Sequence, residues 1–230
     1  MDDQVSKQRK YDSKSTDHRG PKTRDLILEV ARNTLNETGV PSTNCRLISK
    51  NAGLSPANIY YYFANIDEIL EELTLMRISE RKQNLQNIAS KHYDFEGRRE
   101  ASREWLNIVW TWRYVYLDSH HLVLSSDHLR REHAEMTETS IKIQAKSFEN
   151  YLTSTGLKLT ASDRKLCHGL AVSSVIISHS WLQHVALLSD VRSMTREDFL
   201  GTLDQYLATS QTTFDTDFRH RLTEAENRNP

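Results

Sequence analysis

The chain predicts an all-α fold: a small N-terminal unit of three helices arranged as a helix-turn-helix, followed by a larger helical body. Two observations carry this. Glycine and proline are scarce, 7 and 4 in 230 residues, so few positions interrupt a helix. Apolar residues recur at three- and four-residue spacing over most of the length, between residues suited to capping helix ends. Only a modest strand-like run, Tyr114 to Leu117, departs from the pattern. With 37% hydrophobic residues, a chain of this length can bury a sizeable core.

Residues 1 to about 21 are polar, hold Lys7, Arg9, Lys10, Lys14 and Arg19, and read as a disordered basic arm. The helical pattern begins at Thr23, a capping residue. Ile27, Val30, Ala31, Thr34 and Leu35 follow at helical spacing as far as Gly39, which suits the position just past a helix end. Pro41 to Asn44 form a break. A short helix from Cys45 to Asn51 then turns Cys45, Ile48 and Ala52 inward. Gly53 ends that helix and Leu54-Ser55-Pro56 starts the next, with Ser55 as N-cap and Pro56 at the first helical position, where a missing N–H costs nothing. Two short helices joined by a glycine-containing turn are the signature of a helix-turn-helix. The second runs from Pro56 to Phe63, and Asn65 with Glu68 makes a capping-box start for a long helix from Ile66 to Lys91. Further helical stretches are expected at 98–117, 120–126, 128–154, 161–189 and 196–214. The expected divisions are therefore an arm at 1–21, a helix-turn-helix unit at 22–66 and a helical body at 67–230, joined through the helix at 67–91.

Charge and cysteine content narrow the classes. The net charge is −1, but residues 1–66 carry ten Lys and Arg against seven Asp and Glu, a weak tilt toward an anionic contact at the N-terminal end. Cys45 and Cys167 stand far apart with no C-x-x-C, as free thiols in a reducing compartment would. The first twenty residues hold no apolar leader, so a cytoplasmic location is expected. Gly169 to Ser189 contains no Lys, Arg, Asp or Glu and is long enough to span a bilayer. Its five serines, two histidines and glutamine would be costly in hydrocarbon, so a helix packed on other helices, away from any membrane, is the reading.

The stretch LSPANIYYYF poses the functional question, because four consecutive aromatics on a helix point about 100° apart and cannot all face one core. Ile59 and Phe63, four apart, form the expected buried stripe. Arg24, Ile27, Leu28, Ala31, Gly39, Ile48, Ala52, Gly53, Leu54, Ser55, Ile59, Tyr60, Tyr62, Phe63 and Leu70 hold a spacing without gaps over nearly fifty residues. On these residues the block from Thr23 to Leu70 resembles the DNA-binding domain of the TetR family of bacterial transcriptional regulators. The resemblance implies that Ser55, Pro56, Ala57 and Asn58 form the tip of a recognition helix in the major groove, where small residues permit close approach and Asn58 can pair with adenine. It further implies DNA contacts by Tyr60 and Tyr62, with Tyr61 either on DNA or against the flank, and phosphate contacts by Thr43, Arg46 and, more weakly, Lys50. Ile66 stands where the family often has a phosphate-binding lysine. Leu47 stands where a polar residue is usual, and Ser49 where alanine is common.

For the body the resemblance implies ligand binding and dimerisation. Trp105, Trp110, Trp112, Tyr114, His121 and Trp181 are the candidate walls of a pocket for an unknown small-molecule effector, although an ordinary aromatic core would use the same residues. Helices at 161–189 and 196–214 are the candidate homodimer interface, since Gly169, Ala171, Ser173, Ser174, Ser178 and Ser180 allow close helix approach. The His128/His133 and His179/His184 pairs are both five apart, not the three or four a helical metal site needs, so neither metal nor cofactor is expected. No G-x-S-x-G, P-loop, G-x-G-x-x-G or H-E-x-x-H occurs, and an enzyme is not the expectation. The expected role is a dimeric repressor on a palindromic operator, released by its effector. The alternative is a DNA-bound regulator whose body docks a protein partner and takes no effector.

Overall fold

The computed structural model describes residues 21–90, 95–120, 122, 126–154, 156–191, 193–209 and 220, and every regular element among them is helical. In chain order these are α1 (Pro21–Thr38), α2 (Cys45–Asn51), α3 (Pro56–Tyr62), α4 (Ile66–Ser90), α5 (Phe95–Thr111), α6 (Arg113–Leu117), α7 (Asp127–Ser154), α8 (Ala161–Leu188) and α9 (Arg196–Gly201). Residues 203–209 are also helical, beyond a turn at Thr202.

The sequence signals for helix ends resolve into specific hydrogen bonds. Gly39 takes φ +80° and donates its N–H to the Leu35 carbonyl, closing α1. Asn44 caps α2, its side-chain oxygen accepting from the Leu47 N–H at 3.0 Å. Gly53, at φ +65°, makes the turn into α3. The Asn65 side chain accepts from the Glu68 N–H, while the Glu68 carboxylate reaches back to the Ala64 N–H at 2.7 Å. Thr160 with Asp163 and Thr195 with Asp198 form reciprocal capping boxes at the starts of α8 and α9.

Three expectations need correction. Helix α1 begins at Pro21, so Thr23 is a buried residue inside it and not its cap. The run Tyr114 to Leu117 is helical, because it lies in α6 and not in a strand. The stretch expected as one helix at 98–117 is broken at Trp112, whose φ of −113° and ψ of 31° leave the helical region and let α6 turn away from α5. Most of the basic arm, Lys91 and residues 210–214 lie outside the described residues.

The largest buried cluster runs through the helix-turn-helix unit and onward. Ile27, Ala31 and Leu35 of α1, Ile48 of α2, Ile59 of α3 and Ile69 and Leu73 of α4 join Leu106 and Val109 of α5, Tyr114 of α6, Leu182 of α8 and Phe199 of α9. Burial of apolar surface therefore continues from the small unit into the body. A second cluster, Phe148, Leu152, Cys167, Leu170 and Ala171, closes the far end of the α7–α8 hairpin. Helix α8 is long and apolar enough to cross a membrane by length and composition, but one face of it packs on α7 and α6.

Candidate nucleic-acid interface

Helices α2 and α3 are held as a unit by what they bury. Ile48 and Ile59 are fully inside, Phe63 sits at the end of α3 with 2% exposure, and the Asn51 amide donates to the Thr34 hydroxyl of α1 at 3.0 Å. Arg24 of α1 pairs with Glu72 of α4 and lies over the Phe63 ring at 5.0 Å, fixing the flank of α3 between the two. This leaves one side of α3 outward. Tyr60 and Tyr61 are 57% and 65% exposed, while Tyr62 is half-buried against the core, its ring edge-on to Tyr61 at 4.9 Å.

The aromatic run thus divides by direction. Ile59 and Phe63 face inward, Tyr60 and Tyr61 face solvent, and Tyr62 lies between. Tyr61, whose direction the sequence left open, is the most exposed of the three. Ser55, Pro56 and Ala57 form an exposed tip at the α3 N-terminus. The Ser55 hydroxyl is within 2.8 Å of the Asn58 side-chain oxygen and caps the Asn58 N–H at 3.3 Å. The Asn58 amide group is thereby oriented by the cap residue while its N–H₂ end remains a donor.

Within the segment that forms α2 and α3 the charge is one-sided. No Asp or Glu occurs between Gly39 and Asn65, whereas Arg46 and Lys50 lie exposed on α2. A polyanion approaching α2 and α3 meets no fixed negative charge in that segment. Thr43 is placed differently from its neighbours: it is 7% exposed, and its hydroxyl lies 2.7 Å from the Gly39 carbonyl and 2.8 Å from the Thr38 hydroxyl. That hydroxyl serves the turn before α2 and is not offered outward. Ile66 is half-buried on the core, a contact that an apolar side chain makes and a lysine head group could not.

Five of the six candidate pocket residues are described, and all five lie in or against the main core cluster. Trp112 donates its indole N–H to Glu80 at 2.5 Å and lies under Arg32, and Trp181 donates to the Thr202 hydroxyl at 3.0 Å. Both are core residues whose polar edges are satisfied. Trp110 stacks on Phe199, with ring centroids 5.4 Å apart. His121 lies outside the described residues. Trp105 and Tyr114 remain, next to a group the sequence did not single out: Arg77 and Arg81 of α4, Tyr116 of α6, His133 of α7 and His179 of α8. Arg81 lies over the Trp105 ring at 3.8 Å, and the His133 and His179 rings are 5.5 Å apart. Burial and the neighbouring Arg77 lower His133 to about 4; burial, His133 and the two arginines lower His179 to about 3, so both are neutral at pH 7. Among the described residues no cluster of His, Cys, Asp or Glu is arranged to hold a metal ion.

The helix-turn-helix unit is tied to the body at one corner. The Asn36 amide donates to the Thr111 carbonyl at 2.9 Å and accepts from the Tyr114 N–H at 3.0 Å, bridging the α5–α6 break. Asp118, just past α6, accepts from the Val40 N–H at 2.8 Å.

Comparison with known proteins agrees with this arrangement. Residues 27–73 match the family model for bacterial regulatory proteins of the tetR family, and residues 79–222 match a second model described as a bacterial transcriptional repressor. A search of curated proteins finds no match. Among solved structures, the chain is similar to a TetR-family transcriptional regulator from Marinobacter aquaeolei VT8, at 19% identity and TM-score 0.66, over 80% of this chain and 98% of that one. It is also similar to the fatty acid degradation regulator FadR from Bacillus halodurans, at 15% identity and TM-score 0.58, over 84% and 95% of the two chains. A transcriptional regulator from Aquifex aeolicus VF5 matches at 18% identity and TM-score 0.52, over 81% and 98%. At these identities the structures speak for the fold alone. The sequence models reach further, since the second takes in more than half of the chain and the first lies directly before it. The chain belongs to the TetR family of bacterial transcriptional regulators, which bind DNA and are not enzymes.

Proposed function

We propose that this protein is a cytoplasmic, homodimeric repressor that binds a palindromic operator through α3 and leaves it when a small-molecule effector enters the helical body. The observation that carries the DNA half of this reading is the outward face of α3: an exposed Ser55-Pro56-Ala57 tip, Asn58 held by its cap, and Tyr60 and Tyr61 open to solvent, with Arg46 exposed on α2. Such a tip can enter a major groove, with Asn58 pairing to a base edge and the phenols and Arg46 bonding to phosphates. The repressor assignment draws on the description of the family model that matches the body. The unit from 22 to 66 is read as the DNA-binding domain and 67–230 as the ligand-binding and dimerisation domain.

The dimer reading rests on the outer face of α8. Gly169, Ser173, Ile176, Ser180 and Leu187 recur along one exposed stripe with no charged residue among them, and Ile176 and Leu187 are 60% and 85% exposed. An uncharged stripe of small and apolar residues is suited to packing against its own copy about a two-fold axis. Effector response is read through α6. Val115 of that short helix lines a cavity beside Arg77, while Tyr114 and Asp118 hold Asn36 and Val40 of the DNA-binding unit. An effector that binds better to a conformer in which α6 has shifted would change the spacing of the two α3 helices and lower operator affinity by that difference.

The test is a fluorescence titration of labelled DNA from upstream of its own gene with wild type, Asn58→Ala and Tyr60→Ala. Each variant is expected to bind at least about tenfold more weakly, a loss of about 1.4 kcal/mol. Equal affinity in all three proteins would remove α3 as the reading surface.

A further inference from the structure

Arg77 is an unusual residue to find at 2% exposure. An arginine inside a protein is ordinarily paired with a carboxylate, because an uncompensated buried charge is costly. None of the ion pairs among the described residues involves Arg77. Its Nη2 group donates instead to His133 Nδ1 at 3.2 Å, so that nitrogen of the neutral imidazole is the acceptor, and its Nε–H has no partner. The Tyr116 hydroxyl lies close to the guanidinium without meeting it in hydrogen-bond geometry, and the Trp105 indole N–H is likewise buried and unpartnered. The unfilled capacity of this cluster is mainly that of donors, on a cationic centre.

Arg77 and His133, with Thr74 and Ser119, form the polar side of a cavity whose other walls are Val115, Leu122 and Leu129. Its volume is about 20 Å³, room for one water, so a larger occupant has to widen it. We propose that the effector of this protein is an amphipathic anion, whose single acidic group seats on Arg77 while its apolar body lies against Val115, Leu122 and Leu129. A carboxylate and a phosphate share the chemistry required, two or more acceptor oxygens matched to the guanidinium fork. The inference rests on the reading of the body as effector-binding and adds the class of effector. Because Val115 belongs to α6, widening the cavity acts on the helix that holds Asn36.

The experiment is calorimetric titration of the full chain with octanoate, octyl phosphate and the neutral octanamide, followed by release of bound operator DNA by the same three compounds. One or both acids are expected to bind about tenfold or more tightly than the amide, and the tighter acid identifies the head group. Arg77→Met is expected to reduce that preference to less than about threefold. Should Arg77→Met not fold, Arg77→Lys, which keeps the charge and loses the fork, is expected to reduce the preference measurably. An undiminished preference in the folded variant overturns the assignment to Arg77. If octanamide binds as tightly as the acids and releases DNA, the anionic inference falls and the effector reading stands. If no compound binds and DNA is unaffected, the inference falls and the effector reading loses its support at this cavity.

Discussion

At the scale of single residues, most of the weight falls on a few buried side chains. Ile59 is fully buried between α3 and its neighbours, so Ile59→Ala should cost about 2–5 kcal/mol, read as a lowered midpoint in urea. The outward residues of the same helix behave differently: Tyr61→Ala should leave that midpoint within about 0.5 kcal/mol of wild type, because the ring is mostly in solvent. His133 and His179 give a pH dependence whose sign is fixed. Both are held well below the ordinary histidine value by burial and nearby positive charge, so the unfolded chain takes up protons at a pH where the folded one does not. Their contribution is constant above about pH 7 and stability is lost as pH falls from there toward about 4, by at most about 1.4 kcal/mol per pH unit for each. His179→Leu should flatten that acid limb in denaturation curves measured between pH 7 and 5; an unchanged slope would show that the imidazole is solvated.

At the scale of elements, the decisive contact is the corner where α1 meets α5 and α6. Asn36 makes two hydrogen bonds across it and Asp118 a third. Asn36→Ala should cost about 2 kcal/mol, since it strands the Tyr114 N–H and the Thr111 carbonyl. In a double-mutant cycle with Asp118→Ala, a non-additive remainder of about 0.5 kcal/mol or more is expected, whereas strict additivity would mean that the two do not act as one joint. The sequence allowed the elements to be placed wherever the cause is local. Gly39, Gly53, Ser55 and the Asn65–Glu68 pair each bond within a few residues, and these helix ends could be located from residue type and spacing. It gave no comparable sign for Asn36, whose partners lie 75 and 78 positions away. The same is true of the Arg77, His133 and His179 cluster, drawn from three helices. Histidines sorted by distance along the chain fall into separate groups; packing of α7 on α8 brings one from each group together. Two of the candidate pocket walls, Trp112 and Trp181, are core residues whose N–H groups are met by Glu80 and Thr202, partners that lie 32 and 21 positions away.

At the scale of the whole molecule, the proposal is that two copies act together. The exposed stripe of α8 is its physical basis, and Ile176→Asp should convert a dimer to a monomer in sedimentation at micromolar concentration, since a carboxylate on that face would have to be buried against its own symmetry mate. The continuous core from α1 through α5 to α9 argues that the DNA-binding unit does not move as a free bead, but follows the body through the α6 corner. The reading surface and its two-fold partner are tested together by selection of bound sequences from a random DNA pool with the purified full chain. Enrichment of an inverted repeat whose half-sites lie about one helical turn or slightly more apart is expected. Enrichment of a single, non-repeated site, or of none, would contradict it.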